Sequence, residues 1–394
     1  MDTSAALKAA EALVESLKRN PQPSQADHLA LLHQVDRVRS ALETPYDVIN
    51  KQQQTVGTAG ALYTLIKLGA IQKVPTEGTI TAEKLAEELG VDVSAVQRLM
   101  RFVIVNGFFT ETAPDTYAHN ALSRLYQVDA LGCFFLTSMD FNKMCMAMPD
   151  YFKTHAPDEL FDLTKSPFCY AFGKEGKTYY EAIDEDPEQR HIWNICLQAM
   201  AKDMPISGMF PWETLKEQVE KEPERPFVVD IAGGRGQALL KLQEEFPGAF
   251  GGKLILQDLP SVIDTLKPED IPNIDPMVYD IFTPQPVKNA HVYFMRRLLH
   301  DFYNPVCVDI LRNTVQAMGP DSRLIICDML VPEGVDPSKG ILYWVDFNLM
   351  GIGGKEKTLA EFKELFDAVG LELVKVWPST IGATVQLETR LKRA

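Results

Sequence analysis

A glycine-rich turn follows a predicted buried strand in the carboxyl-terminal half of the chain. Asp230 ends an apolar run, and Gly233, Gly234 and Gly236 follow just before a helical pattern. In open α/β sheets such a turn lies in the crevice where ligands bind, and its glycines let backbone approach a ligand closely. A tight turn that binds nothing is the alternative interpretation of the glycines alone.

Two acidic residues after the next strand patterns favour the ligand-binding interpretation. Asp258 lies at the end of the second strand pattern, where a carboxylate can accept both hydroxyls of a ribose. Asp280 lies near the end of the third. Together with the glycine turn, these residues predict an adenosine site.

The residues around the turn distinguish between adenosine compounds. A dinucleotide fingerprint needs a third glycine where this chain has Leu239, and the turn does not end in the Gly-Lys-Ser/Thr of a P-loop. The carboxylate of Asp230 would repel phosphate but attract an ammonium or sulfonium group. S-adenosylmethionine carries both cations, so we expect it as the cofactor.

These segments resemble the class I S-adenosylmethionine-dependent small-molecule O-methyltransferases of the plant caffeic-acid type and their fungal natural-product relatives. The resemblance covers most of the chain, residues 25–392. The family's Val-Asp-x-Gly-Gly-Gly-x-Gly is similar to residues 229–236, where Ala232 replaces the first glycine. Its Asp-Leu-Pro resembles residues 258–260, and its Gly-Asp-Met-Phe resembles residues 279–282.

The family's catalytic segment, Met-Lys-x-x-x-His-Asp-Trp, resembles residues 295–302. The resemblance implies that His300 is the general base and that Asp328 and Glu356 are the acidic pair flanking it. Arg296 then stands in for a cofactor-contacting lysine, and Phe302 for the aromatic residue against the adenine. The full set of implied cofactor-binding residues is Asp230, Gly233, Gly234, Gly236, Asp258, Leu259, Asp280, Ile281, Phe282, Arg296 and Phe302.

Methyl transfer to oxygen requires such a base, because a neutral hydroxyl is a poor nucleophile until its proton leaves. An imidazole with a reference pKa of about 6.5 is mostly unprotonated at cytosolic pH, and a carboxylate on its far nitrogen stabilises the imidazolium that forms. The family resemblance therefore implies an O-methyltransferase that acts on a phenol or enol of an aromatic or polyketide-type secondary metabolite.

An alternative function stays inside the same family. Some fungal members bind S-adenosylmethionine but catalyse dehydration or pericyclic ring formation without methyl transfer. Arg296 and Arg297 beside His300, and Asp328 in place of a longer acid, indicate a modified pocket. Retention of His300 favours methylation, although a dehydration also needs a base.

Residues 133–210 are rich in methionine and aromatic residues. Such a stretch is typical of a helical core, but methionine and phenylalanine also form an adaptable wall for a flat organic molecule. We expect the substrate pocket here, with Asp301 as a structural acceptor at its border. The assigned pocket residues are Phe135, Met139, Met200, Met204 and Asp301.

The amino-terminal part predicts a helical dimerisation region. Apolar spacing indicates two amphipathic helices over residues 1–19 and 25–43, whose stripes need a partner surface in this chain or in a second copy. Residues 56–126 then follow a winged-helix pattern, but residues 60–126 hold six basic against seven acidic side chains. This balance argues against a DNA-binding surface, and the resemblance implies a homodimer.

From residue 228 onward, strand and helix patterns alternate, which predicts a parallel sheet with helices on both faces. The chain closes with a predicted antiparallel hairpin over residues 371–376 and 384–391. The expected fold class is α/β: a Rossmann-like methyltransferase sheet with an antiparallel terminal hairpin, plus an N-terminal α-helical winged-helix dimerisation domain. The expected segments are residues 1–126 for dimerisation, 127–215 for the substrate pocket and 216–394 for cofactor binding and catalysis.

Composition narrows the partners and the compartment. The chain of 394 residues has 39 Lys and Arg against 54 Asp and Glu, a net charge of −15 that disfavours nucleic acid. We find no apolar run long enough to span a membrane and no signal-peptide pattern, so we expect a cytoplasmic protein without membrane partners. The six cysteines form no Cys-x-x-Cys pair, and no metal site is predicted.

Overall fold

The computed structural model describes residues 1–127, 129–202, 205–380 and 382–393. The chain forms two compact units, Met1–Met139 and Asp140–Ala394. The helices are α1 (Thr3–Arg19), α2 (Gln25–Leu42), α3 (Pro45–Lys67), α4 (Ala70–Lys73), α5 (Ala82–Leu89), α6 (Val93–Val105), α7 (Ala121–Leu125), α8 (Asp129–Thr154), α9 (Pro167–Phe172), α10 (Tyr179–Asp184), α11 (Pro187–Lys202), α12 (Lys216–Lys221), α13 (Gln237–Glu245), α14 (Pro260–Ile263), α15 (Asn304–Val315), α16 (Gly340–Met350) and α17 (Leu359–Ala368). The strands are β1 (Ile80–Thr81), β2 (Thr110–Ala113), β3 (Thr116–Ala118), β4 (Pro226–Ile231), β5 (Lys253–Asp258), β6 (Asp275–Val278), β7 (Val292–Arg296), β8 (Arg323–Val331), β9 (Lys357–Thr358), β10 (Leu371–Pro378) and β11 (Thr384–Leu391).

The first unit confirms the predicted amino-terminal helices and winged-helix region. Ser24 caps α2 and Thr44 caps α3, each by accepting from a backbone N–H three residues on, which sets where these helices begin. Helices α5 and α6 lie in the chain between β1 and the β2–β3 hairpin, and the three strands form a small antiparallel sheet of order β1-β3-β2. The apolar faces of α3, α5 and α6 share one buried core in this unit.

The second unit contains the predicted methyltransferase-type sheet, with strand order β10-β11-β8-β7-β4-β5-β6. Strands β6, β5, β4, β7 and β8 are parallel, and β11 runs antiparallel between β8 and β10. The predicted closing hairpin is therefore confirmed.

Helices cover both faces of this sheet, which explains why its central strands are mostly apolar. In β7, Tyr293 and Met295 enter one buried cluster while Val292 and Phe294 enter the other. This alternation follows the period of two along a strand.

The sheet positions its loops for ligand binding. The strand order reverses at β4, which pairs with β5 on one side and β7 on the other. Ligands in open α/β sheets bind outside the carboxyl ends of the strands at such a switch point. The segments that follow β4, β5, β7 and β8 meet at this edge and carry most of the predicted site residues.

Among the described residues, no helix combines the length and the hydropathy needed to cross a bilayer.

Candidate active site

The turn after β4 brings backbone unusually close to a carboxylate. A Cβ added to Gly233 would lie 2.4 Å from Oδ2 of Asp230, so no other residue fits there without displacing that side chain. Ala232, which replaces the family's first glycine, has a φ of 54°, in the left-handed region that favours glycine. Gly234 and Gly236 also have positive φ, at 61° and 80°. The turn therefore keeps the tight course that its sequence predicts.

Asp230 is buried beside this turn without a compensating contact. Among the described residues, neither of its carboxylate oxygens has a hydrogen-bond partner. Burial raises the pKa of Asp230 to about 7, and the charge of Arg296 opposes this shift. One terminal nitrogen of Arg296 is likewise buried without a partner in the described part of the chain. An unpaired buried carboxylate is costly, so this corner suits a cationic ligand.

Asp258, at the end of β5, is held by the glycine turn. Its Oδ2 accepts from the N–H of Gly234 at 2.8 Å, and its Oδ1 accepts from the N–H of Leu259 at 2.7 Å. Burial raises the pKa of Asp258, while both backbone contacts lower it. Each oxygen keeps a second lone pair, so the carboxylate can still accept the ribose hydroxyls predicted for it.

Aromatic surface stands at the same edge of the sheet. Phe282 and Phe302 form an edge-to-face pair with ring centroids 5.8 Å apart. Phe282 is half exposed, and its N–H donates to Oδ1 of the exposed Asp280 at 3.0 Å. Ile281 is partly buried against the sheet core, whereas Leu259 is half exposed. Leu259 follows Asp258 in the chain, and the Phe282–Phe302 pair adds aromatic surface on the segments after β6 and β7.

His300 lies in a 3₁₀ turn, Leu299–Asp301, which begins three residues after the last residue of β7. Its side chain is buried, and Nδ1 lies 3.0 Å from Oε1 of the buried Glu356. Arg297 donates to the same Oε1 at 3.3 Å, and Asp346 on α16 accepts from the N–H of Glu356 at 2.9 Å. The carboxylate is therefore fixed on the nitrogen of His300 that faces away from Asp301.

The protonation states of this pair follow from burial. Burial and then the charge of Arg297 lower the pKa of His300 to about 4, so the imidazole is neutral at neutral pH. Burial raises the pKa of Glu356 to about 6, against the opposing charges of Arg297 and Lys357. Near pH 7 the carboxylate is ionised and accepts from Nδ1–H of the neutral ring, which leaves Nε2 as the acceptor.

Asp328, the other predicted member of the acidic pair, makes no such contact. It is buried in β8, and within the described part of the chain both of its carboxylate oxygens are without a hydrogen-bond partner. Burial raises its pKa to about 6, whereas a positive charge on His300 lowers it when the ring is protonated. Asp328 thus influences His300 through its field, and Glu356 alone of the two binds the ring.

Asp301 contacts the other side of the imidazole. Its Oδ1 lies 3.3 Å from Nε2 of His300, and its Oδ2 accepts from the hydroxyl of Tyr180 at 3.2 Å. The Tyr180 residue is partly exposed, and burial of its phenol raises the pKa of Tyr180 well above the ordinary value. Sequence reasoning missed Tyr180, because α10 lies 121 positions away and carries no motif.

The structure gives less information on the residues predicted to line the substrate pocket. Phe135 packs edge-to-face on Tyr126 within the first unit, and Met139 is half buried on α8. Met204 lies outside the described residues, and the side chain of Met200 is also outside them. Further along α8, Phe141, Met144 and Met148 enter a buried cluster with Met329, so for these residues the helical-core interpretation is correct.

Comparisons with known proteins cover nearly the whole chain. Residues 153–372 match the O-methyltransferase domain family, and residues 57–129 match the O-methyltransferase dimerisation domain. The O-methyltransferase hmp5 of Hypomyces subiculosus is 38% identical over 393 residues, 98% of this chain and 97% of that protein.

Two solved structures have the same fold. The structure of OxaC in complex with SAH and oxaline superposes with a TM-score of 0.86 at 27% identity, covering 100% of both chains. A structure described as a pericyclic reaction enzyme has a TM-score of 0.80 at 25% identity and covers 98% of this chain and 99% of that one. The fold therefore accompanies more than one described activity.

Proposed function

Because the chain belongs to the O-methyltransferase family, we propose that it transfers the methyl group of S-adenosylmethionine to a hydroxyl oxygen of an aromatic or polyketide-type metabolite. The observation that carries this proposal is the buried contact of 3.0 Å between His300 and Glu356, at the sheet edge that also holds Asp230. The family resemblance inferred from the motifs is confirmed.

The residues at the glycine turn fit the cofactor. When bound, S-adenosylmethionine supplies an electrophilic methyl group on a positively charged sulfur. Asp230 offers a buried negative charge without a partner among the described residues, and Gly233 keeps the space next to it free of a side chain. Asp258 offers acceptor oxygens for the ribose, and the pair of Phe282 and Phe302 offers surface for the adenine.

His300 prepares the acceptor oxygen. Its ring is neutral, and Nε2 accepts the proton of the substrate hydroxyl while Nδ1–H donates to Glu356. The carboxylate holds the tautomer and stabilises the imidazolium. Asp301, 3.3 Å from Nε2, places a negative charge beside the nitrogen that accepts the proton, and this charge favours the imidazolium that forms.

The substrate class rests on the relatives. The similar protein OxaC was solved with SAH and the small molecule oxaline, which supports a small organic acceptor here. A pericyclic or dehydrating activity is the second candidate, because a structure described as a pericyclic reaction enzyme shares the fold at 25% identity. The His300–Glu356 contact favours methylation over a pericyclic reaction that removes no proton, since transfer to oxygen depends on a base, whereas a dehydration would use the same base.

We also propose that the chain works as a cytosolic homodimer. The match to the dimerisation domain supports it, as do exposed apolar side chains on the leading helices that a second copy would cover. These exposed side chains are Leu7, Val14, Leu17, Leu32, Val35, Leu42, Tyr46, Val48, Ile49 and Val56.

Incubating the purified protein with methyl-labelled S-adenosylmethionine and a panel of phenolic polyketides should yield labelled products and S-adenosylhomocysteine. Mass spectrometry of the products measures both. Conversion of a substrate without gain of the label, and without consumption of cofactor, would contradict methyl transfer and favour the pericyclic or dehydrating activity.

Binding of S-adenosylmethionine should strengthen as pH rises toward neutrality. Burial raises the pKa of Asp230 to about 7, and a cationic ligand favours the ionised carboxylate. The affinity for S-adenosylmethionine should therefore rise with pH, by about fivefold between pH 6 and pH 7. Isothermal titration calorimetry measures it.

Asp230→Asn should weaken binding and abolish this pH dependence. Asp309→Asn is the matched control, because Asp309 is an exposed carboxylate of the same unit that pairs with Arg312. A wild-type pH dependence in Asp230→Asn would refute the role of this carboxylate.

A further inference from the structure

Lys357 carries a buried charge in the immediate surroundings of His300. It lies in the short strand β9, which pairs with β8, and its side chain is 1% exposed. Its Nζ donates to the backbone carbonyls of Leu299 at 2.8 Å, Phe302 at 2.9 Å and Lys355 at 3.0 Å. Three acceptors match the three N–H groups of an ammonium.

Two of these carbonyls bracket the base. Leu299 and Phe302 flank His300 and Asp301, so the ammonium ties together the two ends of the turn that carries the imidazole. A buried ammonium is costly to desolvate, and an apolar side chain of similar length would avoid that cost. The position of this charge therefore calls for a role beyond packing.

The neighbours of Lys357 reinforce the same connection. The N–H of Lys355 donates to the carbonyl of His300 at 2.8 Å, and Glu356 binds the imidazole itself. Three consecutive residues, 355–357, thus contact the turn through a backbone amide, a carboxylate and an ammonium. The segment and the turn form one hydrogen-bonded unit.

We propose that Lys357 is a positioning residue for the base: its ammonium fixes the turn that carries His300, and its charge biases the protonation of the His300–Glu356 pair. The inference rests on the proposed function, in which His300 is the base.

The charged groups around His300 define what Lys357 contributes. Burial lowers the pKa of His300 most, the charges of Arg297 and Lys357 lower it further, and those of Asp301 and Asp328 raise it. Lys357 also lowers the pKa of Glu356. Loss of its charge would therefore raise both pKa values and protonate the pair at a higher pH. A purely structural lysine would affect stability and leave these titrations unchanged.

Three variants separate charge from packing. Lys357→Met removes the charge and the donors, whereas Lys357→Arg keeps a charge and several N–H groups in a different shape. Lys355→Met is the matched control, because the ammonium of Lys355 is partly exposed and pairs with Glu361. Folding of each variant is checked by thermal unfolding and by S-adenosylmethionine binding.

The first readout is the titration of His300 itself, followed by NMR of protein labelled in its seven histidines. His300→Asn identifies the resonance by its loss. In Lys357→Met the His300 midpoint should move to higher pH by on the order of one pH unit, while Lys357→Arg and Lys355→Met should titrate like the wild type. An unchanged midpoint in Lys357→Met would overturn the proposal.

The second readout is the pH profile of kcat for methyl transfer. Lys357→Met should lower kcat by about tenfold, with a smaller change in KM, because a displaced base affects the reacting geometry more than ground-state binding. In Lys357→Met the fall of kcat at acid pH should begin at a higher pH than in the wild type. In Lys357→Arg it should begin at the wild-type pH. A loss of kcat without a shifted limb would assign Lys357 a structural role only.

If Lys357→Met does not fold, the proposal is tested with Lys357→Arg instead. Since it keeps the charge, the His300 titration should match the wild type while kcat falls, and a shifted titration would overturn the proposal. The NMR readout needs no substrate, so a failure of the proposed methyl transfer is distinguishable from a failure of this inference.

Discussion

Replacing His300 with alanine is expected to reduce methyl transfer by about 10²- to 10⁴-fold, the usual cost of losing a general base. The imidazole is buried, neutral, and bound through Nδ1 to Glu356, so alanine removes the group that accepts the hydroxyl proton. Transfer of label from S-adenosylmethionine under single-turnover conditions measures the effect on the chemical step.

The pH dependence of the methyl-transfer rate gives a second, independent test of the His300–Glu356 pair. Because the pKa of Glu356 is raised to about 6, the wild-type rate should fall as pH drops through 6, where the carboxylate takes up a proton and no longer stabilises the imidazolium. The residual activity of His300→Ala should lack this limb.

The matched control is His191→Ala, which removes an exposed histidine of α11 in the same unit. It should retain the wild-type rate, and His300→Ala should retain cofactor binding, since the glycine turn is intact. A His300→Ala enzyme that transfers the methyl group at the wild-type rate would remove His300 from the mechanism.

The parts of the fold that the sequence predicts well are those set by local pattern. Mostly apolar runs mark the central strands because both faces of the sheet are covered, and Pro378 and Gly382, between two strand patterns, mark the closing hairpin. Helix α16 was not predicted. Its sequence is apolar almost all round, with Leu342 and Val345 buried but Ile341 exposed, so it lacks the one-sided stripe on which a helix prediction depends.

The residues of the site also divide into those that local sequence pattern predicts and those that depend on tertiary packing. Asp230, the glycines and Asp258 follow directly after strands, so topology alone brings them to one edge. The preference of His300 for Glu356 over Asp328 depends instead on how α16 and the segment after it pack, which no local pattern contains. The contact of Tyr180 with Asp301 joins elements far apart in sequence and has no local signal.

Composition could not assign the methionine-rich segment. The same residue types suit a helical core and an adaptable pocket wall. Phe141, Met144 and Met148 are buried because α8 lies against elements that carry Met329 and Leu349, and this follows from tertiary packing rather than from spacing along the chain.

Gly354→Ala is expected to lower kcat by about 10²-fold, because small displacements of a catalytic group have effects of this size. A Cβ on Gly354 would lie 2.4 Å from the carbonyl oxygen of His300 and 3.1 Å from the Cα of Asp301. Both are backbone atoms of the turn that carries the base, so no side-chain rotation relieves the overlap. To relieve the overlap, the turn has to move away from the segment that carries Glu356. This movement lengthens the contact between His300 Nδ1 and Glu356 Oε1.

Gly340→Ala is the control for the effect of an added methyl group. Gly340 begins α16, and a Cβ there would meet no atom of the described residues within 4 Å. It should keep the wild-type rate, whereas Gly354→Ala should lose rate and still bind S-adenosylmethionine, because the substitution leaves the glycine turn after β4 unchanged. Since the added methyl group removes no functional group, a large fall in kcat with cofactor binding intact would locate the effect in the placement of His300. A wild-type kcat in Gly354→Ala would mean that catalysis tolerates displacement of this turn, and would contradict the requirement for a fixed base.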